Sequence, residues 1–99
     1  MSDPQHRSSA DVLTEHGELY MKQLCRHFGH KQETGWTNND GFVAFPFGRC
    51  ALHADPTSLQ LRASAADAES LQRVEHVVAS HLERFAHREQ LAIAWSTTD

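Results

Sequence analysis

Lysine is nearly absent. Lys22 and Lys31 are its only occurrences, and nine Lys and Arg residues stand against thirteen Asp and Glu for a formal charge of -4. Nonspecific nucleic-acid binding depends on clustered cations that neutralise phosphates, so this balance excludes nucleic acid as the expected partner. Long apolar runs are missing too. No stretch approaches the roughly 18 residues of a membrane-spanning helix, which argues against membrane insertion. Met1 to Ser9 contains no apolar segment resembling a secretory leader. A bacterial-type cytoplasmic protein is therefore expected. The two cysteines, Cys25 and Cys50, are too few for a disulfide framework or a complete zinc site and are expected as thiols in a reducing compartment.

Recognisable catalytic parts are lacking as well. The chain has no G-x-x-x-x-G-K-[ST], no G-x-G-x-x-G, no H-E-x-x-H and no G-x-S-x-G. A non-enzymatic accessory or binding role is preferred on this ground, with a small enzyme of unassigned reaction as the alternative.

What is present is an ordinary globular composition, 39% hydrophobic and 22% charged over 99 residues, enough for one domain. We expect a flexible segment over 1–9 and a single domain over 10–96. Histidine is the outlier. Protonation of all eight would reverse the sign of the formal charge, so surface charge should depend strongly on pH where imidazole titrates.

Two helices are expected. The first is predicted to begin after Ser8, with Asp11 completing a capping box, and to end at Gly29; Leu13, Tyr20, Leu24 and Phe28 form its apolar stripe. Gly17 beneath that stripe predicts close packing on a sheet, in preference to a hinge. The second is capped by Asp67, carries Leu71, Val74, Val78, Leu82 and Phe85 at spacings of three and four, and should run to about Arg88.

Between the helices the period changes to two. Asn38 to Gly41 marks a first turn, Gly48-Arg49 a second and Pro56-Thr57 a third. The second turn would pair Phe45 with Leu52, and the third would pair Leu52 with Leu61. Both put apolar residues on one face and Gln60 and Arg62 on the other. A last strand is expected over Leu91 to Trp95. The predicted fold is a two-layer α+β sandwich of order α-β-β-β-β-α-β, with a mainly antiparallel sheet and both helices on one face.

The opposite face supplies the first candidate site. Ala51 leaves room for close approach, while His53, Gln60 and Arg62 can donate hydrogen bonds, and Arg62 a fixed charge, to a small anionic ligand; a protein partner or a second copy in a homodimer would fit the same surface. The chain itself is expected as a monomer or homodimer. His27 and His30 form the second candidate. Three residues apart at a helix end, they are the start of a transition-metal site whose further donors the spacing does not supply. His81 reads as a half-buried structural histidine, and both cysteines as small buried hydrophobes.

Three segments, Tyr20 to Lys31, Phe45 to Cys50 and His81 to Glu89, together resemble the bacterial domain-of-unknown-function family numbered 2218, over about three quarters of the chain from Tyr20 to Trp95. The resemblance implies small, stand-alone proteins or chains joined to siderophore-interacting flavoproteins, and hence a link to iron or siderophore metabolism. The family pattern places a histidine pair at His27 and His30, a cysteine at Cys50 and an arginine at Arg84. It carries no catalytic role to any of them.

Overall fold

In the computed structural model, which describes residues 5–97, the chain opens with a strand where a helix start is expected. β1 (His6–Leu13) alternates buried Ser8, Ala10 and Val12 with outward Arg7, Asp11 and Leu13. It pairs along its whole length with β5 (Ser58–Ala65), from His6 opposite Ala65 to Leu13 opposite Ser58. Left as an edge, β5 would present the outward-pointing N–H and C=O groups of its alternate residues unpaired, and β1 satisfies them. The Ser8-Asp11 capping box is therefore not formed, His6 to Ser9 belong to the sheet, and Leu13 is 80% exposed instead of lying in a helical stripe.

Helix α1 (Gly17–Phe28) starts nine residues later than Ser8 and buries Tyr20, Leu24 and Phe28 as the spacing predicts, with Gly29 closing it. Gly17 is where close approach is required. A Cβ there would stand 2.9 Å from the Ser58 carbonyl oxygen.

The meander follows as β2 (Glu33–Trp36), β3 (Asp40–Phe45), β4 (Gly48–Ala54) and β5. At Pro56-Thr57 the expected register holds, with Ala54 opposite Leu59, Leu52 opposite Leu61 and Cys50 opposite Ala63. The preceding hairpin turns at Pro46-Phe47 instead of Gly48-Arg49, so Phe45 pairs with Gly48 and Val43 with Cys50. Proline presets the φ of the first turn position, and its missing N–H then falls in a turn where no ladder needs it. Gly48 belongs in the strand for a steric reason, since a Cβ would lie 2.6 Å from both the Ser64 oxygen and Val74 Cγ2. Moving the turn by two residues slips the pairing by four, an even number that preserves which side chains face the core and changes only their neighbours.

Helix α2 (Ala68–Phe85) begins as predicted. The Asp67 carboxylate accepts the Ser70 N–H at 2.7 Å, and Leu71, Val74, Val78 and Leu82 are buried. After it, Leu91, Ile93 and Trp95 pack on the core without strand pairing, and β6 (Ser96–Thr97) pairs with β1 only beyond Trp95. The sheet order is β2-β3-β4-β5-β1-β6, antiparallel throughout. Both helices touch β4, β5 and each other, which puts them on the same face of this α+β fold. Among the described residues no helix is long and apolar enough to cross a membrane.

Candidate functional site

The other face carries the outward members of five strands. Cross-strand pairing brings Arg7, Ser64, Arg49 and Ala44 into one row, Ser9, Arg62, Ala51 and Phe42 into the next, and Asp11, Gln60, His53 and Asp40 into a third. Ala51, Gln60, Arg62 and His53 thus share one surface, as the sequence predicts. The sequence places Arg49 in a turn, and the two-residue displacement of that turn makes it a strand residue beside them. The resulting four-residue change of register brings Phe42 opposite Ala51, and the Arg49 guanidinium sits 4.3 Å from the centre of the Phe42 ring.

Two concavities meet at Ala51 and Arg62. One, of about 350 Å³, is bordered by Asp40, His53, Asp55 and Gln60; the other, of about 570 Å³, by Arg7, Ser9, Arg49 and Ser64. Their electrostatics differ. His53 Nδ1 lies 2.7 Å from Asp40 and its Nε2 3.1 Å from Asp55, so both ring nitrogens are already engaged by carboxylates. The hydrogen bond to Asp40 is the main reason the imidazole is held above its ordinary pKa, opposed in part by desolvation. His53 is therefore an internal clasp between β3, β4 and the following turn rather than a free donor. On the other side, among the described residues, neither Arg49 nor Arg62 forms an ion pair with a carboxylate.

The second candidate is rearranged by the helix packing. His27 and His30 are both exposed at the end of α1, and the ring that meets His27 is His81 from α2, centroid to centroid 4.9 Å. Phe28 and Phe85 pack edge-on to His27. Desolvation lowers the His27 pKa, helped by the charges of His81, His30 and Arg84. Among the described residues no group of three or more His, Cys, Asp or Glu side chains is placed to hold a metal ion.

One constellation escaped the sequence reading. Glu89, just beyond α2, accepts hydrogen bonds from the Tyr20 hydroxyl and, at 2.9 Å, from the Thr14 hydroxyl, with His16 Nε2 4.0 Å away. Burial, then the Glu89 contact, pushes the Tyr20 phenol up to about 12, while the Tyr20 bond is the main cause that lowers Glu89. A proton-accepting carboxylate and a phenol locked in this way tie the chain after α2 to the start of α1. Only the fold brings positions 14, 20 and 89 together, so no spacing could have signalled it.

Cys25 and Cys50 are free and buried. Desolvation raises both thiols, Cys50 to about 12, which keeps them protonated and unreactive.

An antiparallel sheet covered by two helices on one side and open on an arginine-bearing other side defines a small open-faced α+β domain. The chain belongs to the bacterial family described as "Uncharacterized protein conserved in bacteria (DUF2218)", whose model matches residues 9–96. It is similar to the NMR structure of PA4090 from Pseudomonas aeruginosa, with 40% identity and a TM-score of 0.79 over 92% of this chain and 95% of that one. No curated protein matches it.

Proposed function

We propose that the chain is a non-enzymatic binding protein of the bacterial cytoplasm whose open sheet face takes a small anionic ligand between Arg49 and Arg62. The observation that carries this reading is the pair of guanidinium groups, free of carboxylate partners among the described residues, flanking the small side chain of Ala51 in a chain of net charge -4. Planar guanidinium groups match carboxylate and phosphate oxygens in pairs, and Ser9 and Ser64 on the same surface add hydroxyl donors. The Phe42 ring holds Arg49 by its apolar face and leaves its N–H edge for a ligand. The resemblance to chains joined to siderophore-interacting flavoproteins narrows the ligand to a carboxylate chelator or its ferric complex. Calorimetric titration with citrate and with ferric citrate tests this. Saturable binding that Arg62→Glu abolishes supports the reading, and equal binding by the variant, or none by either protein, overturns it.

A further inference from the structure

His27 and His81 come from different helices, and their rings meet with centroids 4.9 Å apart and planes inclined by 42°. Two imidazoles on one tetrahedral ion, with metal–nitrogen bonds of about 2.1 Å, place their ring centres about 5 Å apart. The observed centroid spacing matches that separation. Phe28 lies against both rings, at 5.2 Å from His27 and 4.8 Å from His81, and restricts their rotation.

A second observation fixes the tautomer. His81 Nδ1 stands 2.8 Å from the Val77 carbonyl oxygen. A carbonyl only accepts, so Nδ1 carries a proton, and in the neutral ring the lone pair is on Nε2. Metal-bound imidazoles are held in this manner, with the nitrogen remote from the ion donating to a backbone carbonyl.

We infer that His27 and His81 Nε2 form a two-imidazole chelate for a borderline-soft divalent transition-metal ion such as nickel or zinc at the junction of α1 and α2. Water fills the remaining positions, because no third donor converges among the described residues. His30, the partner suggested by sequence spacing, is not required.

The test is a titration of tag-free, full-length protein with nickel chloride, followed by calorimetry and, with diamagnetic zinc, by the histidine ring signals in NMR spectra. His27 and His81 signals should move first. His27→Gln and His81→Gln should each weaken binding by about tenfold or more, while His30→Gln stays within about twofold of wild type. Should His81→Gln fail to fold, the exposed His27 decides. Unchanged affinity in His27→Gln, or loss of binding in His30→Gln alone, overturns the inference.

Discussion

Replacing Gly17 by alanine sets two physical effects against each other. In an unobstructed helix the change gains up to about 1 kcal/mol, because glycine loses more backbone entropy on folding. Here the new methyl would stand 2.9 Å from the Ser58 carbonyl oxygen and 3.4 Å from Leu59 Cβ. Neither can retreat. The Ser58 oxygen accepts the Asp55 N–H at 2.8 Å to close the β4–β5 turn, Ser58 pairs with Leu13, and Leu59 is fully buried. Helix α1 must therefore lift from the sheet, an overpacking cost of about 1–3 kcal/mol that exceeds the propensity gain. The central values give a net loss of about 1 kcal/mol, and at most about 2, which at about 4–8 °C per kcal/mol lowers Tm by roughly 4–8 °C for the central value and up to about 16 °C at the limit. Urea denaturation and calorimetry read both quantities. A variant at least as stable as wild type would refute the close-packing argument and favour a hinge at this position.

Three further outcomes follow from the packing and electrostatics. Leu61→Ala, at a fully buried position, should cost about 2–5 kcal/mol by urea denaturation, and a loss below about 1 kcal/mol would contradict the core assignment. The His53 imidazole is raised above its ordinary 6.5, so its contribution to stability is complete below that value and disappears as pH rises through the higher folded value. Urea midpoints of wild type and His53→Gln should accordingly differ most in mildly acidic buffer and converge in alkaline buffer; a gap that widens with pH would reverse the sign. Ellman's reagent should label neither buried cysteine in native protein near neutral pH and both after unfolding. Rapid native labelling would show that these thiols are accessible.

How much of this was legible in the sequence varied with how local the cause was. Asp67 as a cap and the stripe from Leu71 to Leu82 are local signals, and α2 begins where they place it. Pro56-Thr57 fixed a turn and with it three correct cross-strand pairs. Gly48-Arg49 looks like an equally good turn, yet Pro46 two residues earlier is the better first turn residue, and the contact that settles it, Gly48 beneath Val74, is tertiary. β1 was hidden because its inward residues include Ser8 and Ala10, whose small side chains give a weak alternation, and because its partner β5 lies some fifty residues away. The candidate face was predicted through Ala51, His53, Gln60 and Arg62, but Arg49 joined it only once the hairpin register was known. Likewise the imidazole that meets His27 belongs to another helix, and helix crossing cannot be read from one helix's spacing.

The central claim, an anion site on the open sheet face, is tested most directly by titrating citrate into isotopically labelled protein and following backbone amide and arginine side-chain NMR signals. The account predicts saturable shifts centred on Arg49, Ala51, Arg62 and Ser64, weakened by added salt and absent in Arg62→Glu. Shifts confined to the helical face, or a response that the variant retains, would contradict it.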